Sequence, residues 1–138
     1  MTILKLNARI SKNYPEEMIE EVKKNGMKVG IAVSPDTSED MVMKVGDKVD
    51  LLLVMSVYPG FGGQAFFPRV LTKVRELRKA FPKINIQIDG GISESNLGEC
   101  AKTGVNSFVA GTSLFSSPNP KATIAKFREI FDANFVQS

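Results

Sequence analysis

The strongest constraint on the fold of this chain is the regular order of its apolar runs and amphipathic stretches. Apolar runs at about residues 28–33, 50–57, 84–88 and 107–110 predict four strands. A stretch with helical spacing follows each of them, and such alternation is typical of parallel sheets with right-handed crossovers. The sequence therefore predicts an α/β fold built from parallel (β/α) units.

The predicted helices carry apolar side chains three and four residues apart, with charged side chains between them. They are expected at about residues 15–25, 38–45, 68–80, 93–103 and 120–133. The opening residues 2–7 alternate weakly, a pattern compatible with one more short strand. The four strands read as apolar on both faces, as expected for a sheet covered by helices on one side and packed inside on the other. Such units fit either an open doubly wound sheet or half of an eight-stranded barrel.

Glycine-rich and polar residues fall just after three of the predicted strands. They occupy Tyr58–Gln64, Asp89–Gly91 and Gly111–Ser113. Enzymes with an eight-stranded α/β barrel keep their active sites at this end of the strands, although open sheets use the same edge. This placement favours the barrel.

The first of these turns contains Gly60, Phe61, Gly62 and Gly63, after a buried strand and before a helix. Glycine allows positive φ and lets backbone N–H groups approach an anion closely, so the turn is a candidate phosphate site. The alternative is an ordinary tight turn, in which glycine is common. Three glycines among four residues at this place favour the anion site.

The other two turns each carry polar groups that could take part in chemistry. Asp89 follows the third predicted strand, where it could bind a metal, act as a general acid or base, or only cap a turn. Gly111 and Thr112 follow the fourth strand, and their N–H groups and hydroxyl could bind an anion. Phosphate sites in such barrels often use the loops after the last two strands, so both turns are candidates.

Composition excludes several classes of protein. The 138 residues are 43% hydrophobic and carry a net charge of +3, with no basic run long enough for a nucleic-acid or lipid-binding tail. No secretory signal or apolar stretch of membrane-spanning length is evident, so we expect a cytoplasmic protein. Cys100 is the only cysteine, and the sequence contains no histidine that could serve as its base. We therefore expect Cys100 to be a buried small residue.

Four blocks of this sequence resemble the ribulose-phosphate 3-epimerase family in their order and spacing. They are residues 25–30, 54–64, 88–92 and 109–113, and the resemblance extends over about residues 14–133. It implies that the chain, residues 1–138, is a single partial domain. That domain would be the C-terminal half of a TIM-type (β/α)8 barrel.

The family interconverts D-ribulose 5-phosphate and D-xylulose 5-phosphate in the pentose phosphate pathway. Its members use two aspartates on opposite faces of the substrate and a divalent metal, commonly zinc. The resemblance implies that Asp89 is one catalytic aspartate and a metal ligand, and that Met55 lines the pocket. It also implies that the sugar phosphate is held by Gly60, Phe61, Gly62, Gly63, Gly90, Gly91, Gly111 and Thr112.

In the family, the second aspartate, two metal-binding histidines and a substrate-binding serine come from the first strands of the barrel. The resemblance does not extend to those strands, so we expect this chain to bind zinc weakly. Half a barrel also leaves its outer strands without a partner. We therefore expect self-association into a homo-oligomer, or pairing with a separate N-terminal half-barrel.

Three hypotheses follow for the function. The chain could be an epimerase that is active when a partner supplies the other half of the site. It could instead be a sugar-phosphate-binding pseudoenzyme without turnover, or a non-functional half-barrel fragment. None of the three involves nucleic acid or a membrane.

Overall fold

Five parallel strands lie side by side in the order in which the chain presents them. The computed structural model describes residues 3–7, 15–36, 39–56 and 69–135. Within these ranges the sheet order is β1-β2-β3-β4-β5, with every neighbouring pair parallel. The strands are β1 Ile3–Asn7, β2 Lys28–Val33, β3 Leu51–Met55, β4 Asn85–Asp89 and β5 Ser107–Val109.

Helices connect these strands, and local sequence explains where several of them begin and end. They are α1 Pro15–Lys24, α2 Glu39–Val45, α3 Val70–Ala80, α4 Glu94–Lys102, α5 Thr112–Phe115 and α6 Pro120–Asn134, with a 3-10 turn at Gly46–Lys48. Pro15 opens α1, and Gly26 follows its end with a φ of 75°. Asn119 caps α6, because its side-chain oxygen accepts the Ala122 N–H at 3.2 Å. Among the described helices, none is long and apolar enough to cross a membrane.

The helices cover one face of the sheet. The core on that face contains Ile31, Leu52 and Ile86 from neighbouring strands, together with Leu77 of α3 and Leu97 of α4. Ile31 pairs with Leu52, and Leu52 pairs with Ile86, so the three strand residues point to the same side. Helices on one face and a sequential strand order are features of a barrel, since a doubly wound sheet reverses its strand order.

On the opposite face of the sheet, the polarity of the side chains differs between neighbouring strands. Leu51 and Leu53 of β3 are buried there, whereas their partners on β4 are Asn85 and Gln87. The expectation that the strands are apolar on both faces is therefore wrong for β4, whose side chains alternate between apolar and polar. The polar row on β4 ends in Asp89.

The predicted strands differ from the observed ones mainly at their ends. β1 confirms the short strand suggested by the opening residues, and β2 has the predicted bounds. β4 is shifted by one residue, so Asp89 is the last residue of the strand rather than the first residue after it. β3 and β5 are shorter than predicted, and α5 is not among the predicted helices.

Two polar side chains join neighbouring strands at the N-terminal edge of the sheet. Asp50 Oδ2 accepts the Val29 N–H at 2.9 Å, and Asn106 Oδ1 accepts the Ile86 N–H at 2.8 Å. In each case the residue before one strand binds the start of the adjacent strand. These bonds therefore help to hold the register of both pairs.

Arg78 of α3 ties two loops together at the same edge. Its Nε donates to the Gly104 carbonyl at 2.8 Å, and its Nη1 donates to the carbonyls of Phe81, Pro82 and Ile84. Burial lowers the pKa of Arg78, but a guanidinium keeps its charge in proteins. Gly104 has a φ of 103°, and a Cβ there would lie 2.6 Å from Arg78 Cγ, so glycine makes room for this side chain.

Cys100 lies on α4 and is 0% exposed. Burial raises the pKa of its thiol to about 12, so the reactive thiolate is scarce at neutral pH. The prediction that Cys100 is a buried small residue is confirmed.

Replacing Arg78 with Met should lower the free energy of unfolding by about 2 kcal/mol, because three partly buried carbonyls lose a charged donor. Met keeps the apolar part of the Arg side chain, so the loss of stability measures the contribution of the hydrogen bonds. Arg75→Met is the matched control, since Arg75 is exposed on the same helix. Urea unfolding measures both variants, and equal stability would show that the Arg78 hydrogen bonds make no net contribution.

The Cys100 thiol should make the protein less stable at alkaline pH. The folded thiol keeps its proton up to a pKa of about 12, whereas its ordinary value is 9.0. Stability from this group is therefore fully present below pH 9.0 and is lost as the pH rises towards 12. At about pH 10.5 the loss should be on the order of 1–2 kcal/mol.

Cys100→Ala is the control for this prediction, because it removes the titrating thiol but leaves every other group in place. Urea unfolding of both proteins at neutral and alkaline pH gives the comparison. The same alkaline decline in both would contradict the assigned origin of the effect.

Candidate functional site

The carboxyl ends of β3, β4 and β5 bring three side chains together on the sheet face opposite the helices. Met55, Asp89 and Val109 are partners in the strand register. Met55 and Asp89 are half-buried, and Val109 is exposed. Asp89 thus lies between two apolar residues and is itself partly open to solvent.

Ser56 holds the backbone that follows Asp89. Ser56 comes directly after β3, and its backbone N–H donates to the Asp89 carbonyl at 2.8 Å. The Ser56 hydroxyl lies 3.0 Å from the same carbonyl oxygen and 2.5 Å from that of Gly90. Ser56 is 0% exposed, so these contacts are made away from solvent.

Two further side chains hold the next carbonyl groups of this loop. Asn96 Nδ2 donates to the Gly91 carbonyl at 2.8 Å, while its Oδ1 accepts the Ser93 N–H at 3.0 Å. Ser113 Oγ donates to the Ile92 carbonyl at 2.6 Å. The four successive carbonyls of residues 89–92 are therefore each bound by a side chain, and these side chains come from three different parts of the chain.

Gly90 and Gly91 have backbone conformations that favour glycine. Their φ angles are 122° and 65°, in the range that other residues rarely adopt. Neither residue places a side chain of its own beside the backbone, because glycine has no Cβ. The assignment of both glycines to sugar-phosphate binding stays a prediction.

Gly111 and Thr112 lie at the start of α5, and both are exposed. The φ of Gly111 is −109°, so its backbone conformation does not require glycine. A Cβ added to Gly111 would meet no described atom within 4 Å. The Ser113 bond to Ile92 joins this turn to the loop after β4, so the two candidate turns lie at one edge of the sheet.

The remaining candidates, Gly60, Phe61, Gly62 and Gly63, lie outside the described residues. Their assignment to phosphate binding stays a prediction. The described chain resumes at Arg69, just before α3.

The described residues do not fit a zinc site by themselves. In this part of the chain, no group of three or more His, Cys, Asp or Glu side chains is placed to hold a metal ion. Asp89 could supply one carboxylate ligand, whereas zinc sites normally use three or four protein ligands. Further ligands would have to come from outside these residues.

Sequence reasoning did not single out Ser56 or Asn96, although both lie next to candidate site residues. Ser56 falls within the block of sequence that carries the family resemblance. A serine that directly follows a run of five apolar strand residues is the local signal that could have drawn attention to it.

A parallel sheet with sequential strand order and helices on one face defines an α/β domain of the barrel type. The sequence model of the Ribulose-phosphate 3 epimerase family matches residues 3–115. The chain belongs to this family, which confirms the resemblance drawn from its glycine-rich blocks.

Named relatives match most of this chain but only part of their own length. Ribulose-phosphate 3-epimerase of Candida glabrata is 42% identical over 115 residues, which are 83% of this chain and 47% of that protein. The Escherichia coli enzyme is 39% identical over 119 residues, with coverages of 83% and 53%. The cytoplasmic isoform of Oryza sativa subsp. japonica is 38% identical over 123 residues, with coverages of 87% and 54%. The chain thus spans about half the length of the curated relatives it matches.

Solved structures with the same fold are more distant in sequence. KGPDC from Streptococcus mutans has a TM-score of 0.68 at 16% identity, covering 97% of this chain and 62% of that one. 3-Hexulose-6-phosphate synthase from Salmonella typhimurium has a TM-score of 0.69 at 16% identity, covering 96% and 62%. At such identities the similarity shows the fold alone, and it confirms the predicted α/β barrel type.

Proposed function

We propose that this chain is an isomerase that interconverts D-ribulose 5-phosphate and D-xylulose 5-phosphate when the other half of its site is provided. The observation that carries the proposal is the position of Asp89 at the end of β4, followed by Gly90 and Gly91, in a chain of this family. The curated relatives bear the name of this activity. The reaction belongs to the pentose phosphate pathway.

Asp89 would move the proton on one face of the substrate. Its carboxylate takes the proton from the carbon beside the carbonyl, and the C–H electron pair moves into an enediolate. A proton returned to the opposite face of that carbon inverts the centre. One side chain cannot serve both faces, so a second acid–base group is needed on the other side of the substrate.

The two turns at the carboxyl edge would hold the sugar phosphate. Support comes from the Ser113 bond to Ile92, which places the turn with Gly111 and Thr112 beside the Asp89 loop. The backbone N–H groups of Gly90 and Gly91 would add donors, as would those of residues 60–63. Met55, next to Asp89 in the register, would form an apolar wall of the pocket.

Completion of the site would require strands beyond the five described ones. β1 and β5 are the outer strands of this sheet, and each has a neighbour on one side only within the described residues. An eight-stranded barrel closes by pairing such edges. A separate N-terminal part of a barrel would therefore supply the missing strands, together with the second acid–base group and any further ligands for a divalent metal such as zinc. We place the protein in the cytoplasm, where the single thiol of Cys100 stays reduced.

A sugar-phosphate-binding pseudoenzyme is the second candidate function. It is favoured by the absence, among the described residues, of a group of three or more side chains that could hold a metal ion. Both functions share the same anion-binding turns. Turnover and binding therefore have to be measured separately.

Asp89→Asn should lower the rate of epimerisation by at least about 100-fold, because an amide cannot accept the substrate proton. The assay uses the purified full chain with added zinc, alone and mixed with the N-terminal half-barrel of a relative. Asp47→Asn is the matched control, since Asp47 is exposed on the 3-10 turn.

Unchanged turnover in Asp89→Asn would refute the assigned role of Asp89. If the wild-type chain shows no turnover but inorganic phosphate raises its melting temperature, the pseudoenzyme is favoured. If the chain shows neither turnover nor stabilisation by phosphate, the non-functional fragment is the remaining hypothesis.

The two outer strands should drive association, because each has no partner strand on its outer side among the described residues. We expect sedimentation equilibrium at micromolar concentration to give a mass above the 15.1 kDa of one chain. A stable monomer under these conditions would contradict self-association. Pairing with an added N-terminal half-barrel would then be the remaining way to complete the barrel.

A further inference from the structure

We propose that Ser56 is a positioning residue that orients the Asp89 loop for ligand binding. The inference rests on the proposed function only for the role of Asp89 and for the identity of the ligand. The orientation itself follows from contacts among Ser56, Asp89 and Gly90.

Ser56 extends the pairing of β3 with β4 beyond the last strand residue. Met55 and Asp89 are the last register partners, and the Ser56 N–H then binds the Asp89 carbonyl. The hydroxyl reaches one residue further, to the Gly90 carbonyl at 2.5 Å. A hydroxyl has a single proton to donate, so the two carbonyls share it.

Holding these carbonyls also sets the direction of two backbone donors. In a trans peptide the C=O and the following N–H point in opposite directions, and the described backbone contains no cis peptide bond. The N–H groups of Gly90 and Gly91 belong to the two peptide units whose carbonyls bind Ser56. Both N–H groups are therefore directed away from Ser56.

An external restraint from Ser56 is needed because Gly90 and Gly91 have no side chains that could limit the orientation of their peptide units. Gly90 and Gly91 have more accessible φ and ψ values than any other residue type. Without an external restraint, their peptide units would sample several directions at a cost in binding entropy. Asn96 and Ser113 hold the next two carbonyls, whereas Ser56 holds the two nearest to the Asp89 side chain.

The test compares Ser56→Ala, which removes the hydroxyl, with Ser56→Thr, which keeps it. Ribulose 5-phosphate is titrated into the full chain, and its dissociation constant is read from amide NMR shifts. Ser56→Ala should weaken binding by about tenfold or more, and Ser56→Thr should stay within about threefold of wild type. The NMR order parameters of the Gly90 and Gly91 amides, which report how far each N–H vector moves, should fall in Ser56→Ala alone.

Thr103→Val is the matched control for loss of a buried hydroxyl. Thr103 is 4% exposed, and its Oγ1 donates to the Cys100 carbonyl at 2.6 Å after the end of α4. This variant should lose global stability but keep wild-type binding and wild-type order parameters at Gly90 and Gly91. If Ser56→Ala does not fold, Ser56→Cys replaces it, because a thiol is a weak donor of similar size.

Wild-type affinity and unchanged Gly90 and Gly91 order parameters in Ser56→Ala would overturn the proposal. The same losses in Thr103→Val would also overturn it, since they would then reflect general destabilisation. If the wild-type chain binds no ribulose 5-phosphate, the proposed function fails. The order parameters of the two glycine amides would still decide whether Ser56 orients the loop.

Discussion

The alignment of β3 with β4 is the interaction on which the candidate site depends. Side chains alternate between the two faces of a sheet, so a slip of one residue would turn Asp89 towards the helices and Ile88 away from them. Ile88 and its partner Val54 are fully buried in the core, and exposing them would forfeit their hydrophobic stabilisation. The carboxylate is thus held on its face of the sheet by the burial of its apolar neighbour in the chain.

The two edges of the sheet use polar groups in different ways. At the N-terminal edge, Asp50, Asn106 and Arg78 bind backbone groups of neighbouring strands and loops, and Gly104 makes room for Arg78. At the carboxyl edge, Ser56, Asn96 and Ser113 bind the carbonyls of the loop that contains Gly90 and Gly91. The first arrangement stabilises the fold, whereas the second restrains a loop at the edge where barrel enzymes keep their active sites.

Local periodicity allowed the strands and most helices to be predicted, because each depends on side chains a few residues apart. The contacts that shape the site could not be predicted in this way. Ser56 and Asp89 are 33 residues apart in sequence, and Arg78 and Gly104 are 26 apart, so only the folded sheet brings them together. α5 has four residues, which is too short for a helical pattern to be recognised. The anion-binding role of Gly60–Gly63 remains a prediction from glycine spacing alone.

The geometry of a curved parallel sheet explains why half a barrel would supply half of a two-faced reaction. All side chains on the inner face of neighbouring strands approach a bound ligand from the same side, as Met55 and Asp89 do here. If Asp89 acts on one face of the substrate, as proposed, the opposite face would be approached from the far side of the barrel. β1 and β5 are the outer strands of the described sheet, so strands that close the barrel between them would have to come from elsewhere. Under the proposed function, epimerisation would depend on those strands, while phosphate binding at the carboxyl edge would not.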